Sequence, residues 1–292
     1  MRVAVSGASG LIGRALTDAL RARGDRVVAL GRRSGDLTWD PELGPPPPSA
    51  LEGADAFVHL AGEPIAARWS ASRKRRILDS RVVGTRHAVE GLRAADPRPG
   101  TFVCASGVGY YGDRGDEPLD ERSAPGGDFL AGVCVAWEAE ARRATELGVR
   151  VASLRTGVVL AREGGALPML ARPFRCFVGG PLGDGRQWLP WVHLDDEVGL
   201  ILHALDRPAV RGPINMVAPN PVRGRVFAHT LGRVLGRPAL FPVPRPVLRL
   251  GLGQVVEALL ASQRARPSVA EATGYAFRFA ELEPALRDVL DR

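Results

Sequence analysis

Three glycines near the start of the chain are spaced so that they can form a phosphate-binding turn. Gly7, Gly10 and Gly13 follow an apolar segment at residues 3–5 and precede a helical pattern over residues 11–23. Glycine permits the tight turn, the close approach of the backbone to a pyrophosphate and the packing of helix on strand that this chemistry requires. The helix N-terminus adds free N–H groups and a partial positive charge. The spacing is G-x-x-G-x-x-G and not the common G-x-G-x-x-G, which leaves a purely structural turn as the alternative.

Two arginines follow the second predicted strand, at the position that selects between dinucleotides. The strand at residues 26–30 ends in Gly31, Arg32 and Arg33, and the nearest acid, Asp36, comes only after the turn. An acidic residue here would bind the ribose 2′-hydroxyl of NAD, whereas arginine pairs with the 2′-phosphate of NADP. We therefore predict that the chain prefers NADP(H) to NAD(H). The alternative is two solvated arginines in an arginine-rich chain.

The elements that must position these residues alternate between strand and helix. Predicted strands lie at residues 3–5, 26–30, 54–62, 101–106 and 150–160, and predicted helices lie at residues 11–23, 72–95 and 128–147. This rhythm predicts the α/β class, with a Rossmann-type doubly wound parallel sheet. In the strand at 54–62, Ala61 and Gly62 would let the backbone pass close to a cofactor ribose.

The rhythm breaks after about residue 164, where glycine-rich and proline-rich loops become frequent. Further helices are predicted at residues 195–205, 223–235 and 246–262, and a further strand at 213–217. We predict an NADP(H)-binding Rossmann domain over residues 1–163, to which residues 190–218 return. Residues 164–189 and 219–292 are predicted to form a smaller C-terminal lobe that faces the substrate.

The bulk composition is typical of a globular cytoplasmic protein. The 292 residues suit one large domain, or a core domain with a smaller lobe, and 45% of them are hydrophobic. No apolar run reaches the roughly 18 residues that a membrane span needs, and the first residues lack a signal-peptide pattern. Cys104, Cys134 and Cys176 are odd in number and far apart, so we expect neither a disulfide framework nor a metal site.

A net charge of +7 raises the question of nucleic acid. Of the 39 basic residues only Lys74 is a lysine, so 38 are arginines, a bias typical of genome composition. The densest basic run, at residues 73–76, lies in an apparent amphipathic helix and is accompanied by no nucleic-acid motif. We predict a small-molecule substrate and neither nucleic acid nor membrane as a partner. A nucleic-acid binder would show steep salt dependence.

Several further motifs together resemble the extended short-chain dehydrogenases/reductases, the group of nucleotide-sugar epimerases. They are the glycine turn, His59-Leu60-Ala61-Gly62, residues 106–112 and His193-Leu-Asp-Asp196. A closer resemblance, over nearly the whole chain, is to an atypical branch of epimerase-family proteins with a C-terminal domain of unknown function. Its motifs include Ala61-Gly62-Glu63-Pro64, Ser80-Arg81, Arg155-Thr-Gly-Val-Val-Leu160 and Gly274-Tyr275.

The resemblance implies an NADP(H)-binding Rossmann fold and a homodimer, since the parent group often dimerises through helices that flank the sheet. Taken with the glycines and arginines above, it gives one set of candidate cofactor-binding residues. They are Gly7, Ser9, Gly10, Leu11, Ile12, Gly13, Gly31, Arg32, Arg33, Leu60, Ala61, Gly62, Glu63, Arg81 and Ser106.

The resemblance does not supply a reaction, because the parent group's proton relay is missing. That relay is a serine or threonine with a Tyr-x-x-x-Lys pair, whose lysine holds the ribose and lowers a tyrosine pKa that is about 10 when free. Here Gly107 stands at the position of the serine. One register puts Leu130 and Cys134 at the tyrosine and lysine, and a four-residue slip puts Cys134 and Glu138 there.

We predict Tyr110, Tyr111 and Ser106 as the catalytic candidates. Either tyrosine, at a strand end near the expected nicotinamide, could donate a proton, or it could pack on the cofactor instead. Ser106 could hold the nicotinamide amide or a substrate oxygen, or simply cap its strand. Two weaker alternatives remain open: the thiol of Cys134, and a pair formed by His193 with Asp195 or Asp196, which in the parent group is mostly structural.

Arginine and aromatic residues suggest the substrate side of the cleft. Arg155, Gln187 and Trp191 are predicted to lie in loops that border it, where they would suit an anionic, partly planar ligand such as a nucleotide sugar. Packing of the lobe interface is the alternative. The functional hypothesis is an NADP(H)-dependent, epimerase-like oxidoreductase acting on a nucleotide-linked or carbonyl compound. The rival hypothesis is a non-catalytic NADP(H)-binding redox sensor or scaffold, which the missing relay favours.

Overall fold

The computed structural model describes residues 1–291. Its strands are β1 (Arg2–Ser6), β2 (Arg26–Gly31), β3 (Leu37–Thr38), β4 (Ala56–His59), β5 (Thr101–Gly107), β6 (Pro118–Leu119), β7 (Arg150–Thr156), β8 (Val158–Leu160), β9 (Trp188–Leu189), β10 (Trp191–His193), β11 (Gly212–Met216), β12 (Val222–Arg223) and β13 (Arg264–Ala265). Its helices are α1 (Leu11–Ala22), α2 (Pro48–Leu51), α3 (Ala71–Ala94), α4 (Phe129–Arg142), α5 (Leu167–Arg175), α6 (Leu194–Asp206), α7 (Gly224–Leu235), α8 (Arg245–Leu252), α9 (Val255–Leu260), α10 (Ser268–Ala272) and α11 (Leu282–Asp291).

Seven parallel strands form the central sheet, in the order β11-β7-β5-β4-β1-β2-β3. From β1 the chain first builds outward through β2 and β3, and then returns to build the other side from β4. The strand order therefore reverses between β1 and β4, where Val3 pairs with both Val27 and Ala56. This is the predicted doubly wound α/β fold, in which ligands bind at the carboxyl ends of the strands at the reversal point.

Alternate residues of the buried strands pack on opposite faces of the sheet. Val3 and Val5 join a core cluster with Leu16 and Leu20 of α1, and α6 covers the same face. Ala4 points the other way, into a cluster with α3 and α4 that contains Leu30, Phe57, Leu92, Phe102 and Trp137. Both faces are covered, which explains why these strands read as continuous apolar runs.

A third core cluster lies among residues 158–290. It gathers apolar side chains from α5, β10, α7 and α11, including Phe174, Trp191, Phe227, Leu231 and Leu286. Other C-terminal residues, Ala270 and Tyr275 among them, pack instead against the cluster beneath α1 and α6. The predicted division of the chain into two domains stays a prediction. Within residues 1–291, no helix combines the length and apolar character needed to cross a bilayer.

In the structure, a glycine divides each of two predicted elements, one strand and one helix. The strand predicted at residues 150–160 breaks at Gly157, whose N–H donates to Met216 O, and β8 then pairs with β10 outside the main sheet. A Cβ at Gly157 would lie 2.7 Å from Pro190 O, so only glycine fits this crossing. The helix predicted at 246–262 is two helices, because Gly253 between α8 and α9 has φ +68°.

Candidate functional site

An open groove of about 640 Å³ runs along the carboxyl ends of β2, β1 and β4, at the point where the strand order reverses. Its lining is mostly polar and includes ten of the predicted cofactor-binding residues: Gly7, Ser9, Gly10, Gly31, Arg32, Arg33, Leu60, Ala61, Gly62 and Glu63. Leu11, Ile12 and Gly13 form the first turn of α1 beside it. Residues from three separate parts of the sequence therefore meet around one groove.

The glycine turn between β1 and α1 has the geometry of a phosphate cradle. Gly7 has φ +70°, and a Cβ there would lie 2.8 Å from Ala61 N, so the turn and the end of β4 can approach only without a side chain. A Cβ on Gly13 would overlap the carbonyl oxygen of Gly7. Gly10 differs, since a Cβ there would meet only Gly7 O, at 3.2 Å, and would otherwise stand in open space. The turn therefore has no room for a side chain at Gly7 and Gly13, which face the protein, whereas Gly10 faces the open groove.

The N-terminus of α1 begins at this cradle without a side-chain cap. Gly10 is the capping residue, no side chain accepts a hydrogen bond from the first turn, and that turn contains no acidic residue. The first N–H groups of the helix and its partial positive charge are therefore available to an anion. The uncapped start of α1 beside the glycine turn suits the two negative charges of a pyrophosphate. The turn therefore suits a dinucleotide cofactor.

Arg32 and Arg33 lie at the end of β2 with their side chains exposed. Among the described residues, no carboxylate lies within ion-pair distance of either guanidinium. The acid closest in sequence, Asp36, accepts a hydrogen bond from Ala29 N at 2.8 Å and so is directed back to the strand. Asp40 and Glu42 do line the groove further along.

Sequence reasoning missed part of this groove. The missed lining residues are Ser6, Leu30, Ser34, Trp39, Asp40, Pro41, Glu42 and Ser80. Residues 39–42 follow β3, a strand of only two residues that leaves no periodic signal in the sequence. Ser80 lies on α3. Its hydroxyl accepts a hydrogen bond from Glu63 N at 3.0 Å and so fixes the loop after β4.

Arg81 lies where the loop after β4 meets α3 and α4. Its Nη1 donates to Glu63 O at 2.9 Å, and its guanidinium carbon is 4.9 Å from the ring centre of Trp137 on α4. A Cβ on Gly62 would lie 3.4 Å from that same carbon. Arg81 is not among the residues that line the groove, but it packs beside Gly62, which is.

A buried ion pair lies beneath the end of β5. Arg155 Nε and Nη2 donate to the two carboxylate oxygens of Glu138 at 2.8 and 2.9 Å, and both side chains are 5% exposed or less. Ser106 Oγ donates to the same carboxylate at 2.8 Å. The predicted loop position of Arg155 is wrong: the residue lies in β7, because Glu138 neutralises a guanidinium that could not otherwise be buried.

The two tyrosines after β5 have different environments. Tyr111 is fully buried, receives a hydrogen bond from Arg155 Nη1 and donates one to Asn215 Oδ1 at 2.6 Å. Burial raises the pKa of Tyr111 to about 12, although the charge of Arg155 opposes that shift. Tyr110 is only partly buried, and the guanidinium carbon of Arg155 is 3.4 Å from its ring centre. Tyr111 is thus built into the core, which leaves Tyr110 as the tyrosine that stays a catalytic candidate.

Side chains from both registers predicted for α4 face β5 and the turn after it, and the choice between the registers stays open. A Cβ on Gly109 would lie 3.3 Å from Leu130 Cβ, and one on Gly107 would lie 4.0 Å from Cys134 Sγ. Leu130 and Cys134 therefore lie beside the end of β5 and the turn after it, and Glu138 reaches the same strand end through Ser106. Burial raises the pKa of the Cys134 thiol to about 12, so this cysteine is not a nucleophile at neutral pH.

Trp191 and Gln187 take structural positions. Trp191 was predicted to border the cleft, and that prediction is wrong: it lies in β10, is fully buried in the core of the C-terminal lobe, and donates Nε1–H to Asn220 O at 3.1 Å. Gln187 does lie in a loop, with Nε2 donating to Leu182 O at 3.2 Å and its amide packed against Gly224. An indole this large is more stable in an apolar core than on a cleft wall.

His193 links α6 to α11. Its Nδ1 accepts a hydrogen bond from Asp195 N at 3.0 Å, and its Nε2 lies 3.2 Å from Asp288 Oδ2. The ring packs against Phe279 with 3.9 Å between ring centres. These contacts join the start of α6 to the last helix, in keeping with the structural role that the resemblance gives this segment.

Glu197, in the first turn of α6, carries a carboxyl group that sequence reasoning did not single out. It is completely buried, Thr156 Oγ1 donates to its Oε1 at 2.8 Å, and its Oε2 has no hydrogen-bond partner in the part of the chain that the structure describes. Burial raises the pKa of Glu197 from 4.5 to about 8. The folded protein therefore holds a proton here that the unfolded chain releases near pH 4.5.

We expect this proton to make stability fall as pH rises. Between pH 4.5 and 8 Glu197 binds one more proton in the folded state than in the unfolded state, so its contribution to the free energy of unfolding decreases by about 1.4 kcal/mol per pH unit. Buried His59, whose pKa is lowered to about 3, contributes a slope of the opposite sign below pH 6.5. The variant Glu197→Gln should remove the contribution of Glu197 and leave that of His59, so that its slope is more positive than that of the wild type, and urea denaturation at pH 5 and pH 7.5 measures the difference. The exposed Glu146→Gln is the control and should keep the slope. Equal slopes in all three proteins would contradict the assignment.

Comparison with known proteins gives a consistent set of relatives. The model of the NAD dependent epimerase/dehydratase family matches residues 3–217, and a domain of unknown function, DUF1731, matches residues 243–289. The chain is 40% identical over 298 residues to epimerase family protein SDR39U1 of Homo sapiens, covering 99% of this chain and all of the relative. It is 41% identical over 290 residues to epimerase family protein Mb2239 of Mycobacterium bovis, covering 97% and 96%.

Two solved structures extend this likeness to the fold. The crystal structure of human SDR39U1, isoform 2, with NADPH has a TM-score of 0.91 and 36% identity, and each chain is covered completely. The structure of a nucleoside-diphosphate sugar epimerase from Corynebacterium glutamicum has a TM-score of 0.83 and 38% identity, covering 99% of this chain and 58% of the other.

Proposed function

Because this chain belongs to the NAD dependent epimerase/dehydratase family, we propose that it is an NADP(H)-binding, epimerase-like oxidoreductase. The observation that carries the proposal is a single groove that joins the glycine cradle to two arginines without carboxylate partners. The presence of NADPH in the structure of human SDR39U1, at 36% identity, supports the same cofactor here.

Different residues of the groove would bind different parts of the cofactor. Gly7 and Gly10 with the start of α1 would hold the pyrophosphate, and Arg32 with Arg33 would pair with the 2′-phosphate. Gly62, at the end of β4, would lie beside the nicotinamide half. The bound nicotinamide supplies hydride transfer, while this chain supplies position and a proton source. We propose Tyr110 as that proton source, since it is partly exposed beside Ser106 and Gly107 at the end of β5.

A nucleotide-linked or carbonyl compound is the proposed substrate class. The ring of Trp188 packs against two guanidinium groups, those of Arg223 and Arg264, with the charge centres 4.4 and 4.9 Å from the ring centre. Asp116 pairs with Arg223 at 2.8 Å, so the cluster of these three charged side chains keeps one net positive charge. Such a cationic and aromatic surface suits an anionic, partly planar ligand. Cytoplasmic location, a homodimeric state and the absence of nucleic-acid and membrane partners belong to the same proposal.

A second function, non-catalytic cofactor binding, is favoured by one specific observation. Leu130 and Cys134 stand at the end of β5, and neither can relay a proton at neutral pH. A redox sensor would need different affinities for the oxidised and reduced cofactor, because a ligand shifts an equilibrium only by its differential binding. Turnover with any carbonyl or sugar-nucleotide substrate would rule this function out.

The test of the proposed function is a titration of the nucleotide-free protein with NADPH and with NADH. Tight binding of NADPH and weak binding of NADH would support the cradle and the arginines together, and would justify a substrate screen with NADPH. Binding of neither nucleotide would overturn the proposal and leave only the fold.

We expect Arg32→Glu to weaken NADPH binding by more than tenfold, or at least about 1.4 kcal/mol. The new carboxylate would repel the 2′-phosphate, whereas NADH, which lacks that phosphate, should lose far less affinity. The matched control is Arg26→Glu, at the opposite and exposed end of the same strand, which should change neither affinity. Equal weakening of NADPH and NADH by Arg32→Glu would contradict the assignment of the 2′-phosphate.

A further inference from the structure

The basic run at residues 73–76, in the first turns of α3, divides into two parts in the structure. Arg73 and Arg76 point to the loop after β4, where they pair with the carboxylate of Glu63 at 3.2 and 3.6 Å. Lys74 has no carboxylate within ion-pair distance among residues 1–291. It is also the one lysine of the chain, in which the other 38 of the 39 basic residues are arginines. Lys74 is therefore an exception both in its composition and in its lack of a counter-charge.

Two aromatic rings lie against the ammonium group of Lys74, and we call these three side chains the Lys74 cluster. Nζ is 4.9 Å from the ring centre of Phe129, at the start of α4, and 5.8 Å from that of Trp69, in the loop after β4. The rings meet edge to face with 5.3 Å between their centres, and all three side chains are partly exposed. Nζ donates no hydrogen bond within the described part of the chain, although an ammonium has three N–H donors. The rings attract its charge, and the remaining donors can reach an acceptor that a ligand brings.

The Lys74 cluster lies beyond the groove, on the side from which a substrate would approach the cofactor. Lys74 contacts Phe129 and Arg81 contacts Trp137, so α3 and α4 run in the same direction and Lys74 is two turns nearer their starts. Helices that follow parallel strands begin at the carboxyl ends of those strands, where ligands bind. Arg81 packs beside Gly62, which lines the groove. A rise of 1.5 Å per residue puts the backbone of Lys74 about 10 Å further out.

The neighbours of the Lys74 cluster come from both sides of the expected substrate position. Leu130, which follows one of the two rings in the sequence, would be 3.3 Å from a Cβ on Gly109, in the turn after β5. Arg68, which precedes the other ring, has its Cγ 3.0 Å from the position of a Cβ on Gly253, between α8 and α9. The Lys74 cluster therefore lies between the end of β5, where we place the proton source, and the C-terminal segment.

We propose that Lys74 binds an anionic oxygen group of the substrate, a phosphate or a carboxylate, through the N–H donors of its ammonium group. This inference rests on the proposed function, because it places the substrate relative to the bound cofactor. Phosphate and carboxylate oxygens are the acceptors with which an ammonium forms charge-assisted hydrogen bonds. Partly exposed rings beside the ammonium would in addition contact a planar portion of the same ligand.

Lys74 can be observed directly, because it is the one lysine of the chain. Reductive methylation with ¹³C-formaldehyde labels the amines of Lys74 and of the N-terminus, keeps their positive charge and gives one NMR signal for each. The protein is saturated with NADPH, which keeps other anions off the glycine turn, and is then titrated with UDP and with benzoate. Neutral uridine and benzamide are the matched controls. We expect a saturable shift of the Lys74 signal with an anion only, and no shift of the N-terminal signal.

The affinity of the unmodified protein gives a second measurement. Isothermal titration of the bound anion compares the wild type with Lys74→Met, Lys74→Arg and Arg75→Met, all saturated with NADPH. Arg75 is exposed, and Arg75→Met removes the same charge one residue away. We expect Lys74→Met to weaken the anion about tenfold or more, Lys74→Arg to keep part of the affinity and Arg75→Met to bind as the wild type does. Unchanged NADPH affinity reports that each variant is folded.

The outcomes separate this inference from the proposed function. A shift with UDP alone assigns a phosphate to Lys74, and a shift with benzoate alone assigns a carboxylate. If neither anion moves the Lys74 signal, or if Arg75→Met weakens the anion as much as Lys74→Met does, the role of Lys74 is overturned while the cofactor assignment stands. If NADPH itself does not bind, the proposed function fails and this inference fails with it. If Lys74→Met does not fold, the NMR titration of the wild type decides.

Discussion

The variant Gly10→Val is expected to lose at least a hundredfold in NADPH affinity, or about 2.7 kcal/mol, and to remain folded. A Cβ at position 10 meets only Gly7 O, at 3.2 Å, and the rest of the side chain would project into the open groove. It would therefore occupy the space of the pyrophosphate without disturbing β1 or α1. Isothermal titration measures the affinity, and circular dichroism checks the fold.

The matched control for this variant is Gly100→Val. Gly100 is exposed just before β5, and a Cβ there has no neighbour within 4 Å. It lies before the amino end of its strand, whereas the groove lies at the carboxyl ends, so NADPH binding should be unchanged. Retained affinity in Gly10→Val would mean that the pyrophosphate binds elsewhere and that the glycine turn is only structural.

Breaking the buried pair between Glu138 and Arg155 should have the largest effect on stability. We expect Glu138→Ala to lower the free energy of unfolding by about 3–5 kcal/mol, because it leaves an uncompensated guanidinium in the core. Ser106 Oγ would lose its acceptor in the same step. Urea denaturation followed by fluorescence measures the change.

An exposed ion pair provides the comparison for Glu138. Arg114 and Glu117 are 2.6 Å apart, with Glu117 48% exposed. The variant Glu117→Ala should change stability by no more than about 1 kcal/mol, since exposed pairs contribute little. A loss of under about 1 kcal/mol in Glu138→Ala would show that water reaches Arg155 and that the pair is not truly buried.

The parts of the site that could be predicted are those encoded locally. The turn from β1 into α1 is one continuous segment of sequence, so the spacing of its three glycines predicts both the strand–turn–helix unit and the phosphate-binding turn. Arg32 and Arg33 could be placed because β2 is regular and ends at Gly31. The α/β rhythm predicts the doubly wound parallel sheet, whereas the order of its strands and the reversal point come from the structure.

The parts that could not be predicted depend on partners distant in the sequence. The sequence places Arg155 beside the cleft because arginine suits an anionic ligand, but Glu138, on the helix packed against its strand, permits its burial. Trp191 follows loops rich in glycine, and only the lobe core shows why it is inside. The unpartnered oxygen of Glu197 leaves no trace in the sequence, since Asp195, Asp196 and Glu197 look alike there.

The C-terminal segment contacts two of the three large core clusters, with Ala270 and Tyr275 in one and Leu286 in the other. Unfolding of either cluster would remove packing from the same short stretch of chain, so we expect the two clusters to unfold together. The expected thermal signature is a single cooperative transition at which the probes of both halves coincide. A cofactor bound at the glycine turn would then raise the melting temperature of the distant lobe as well, through linkage alone.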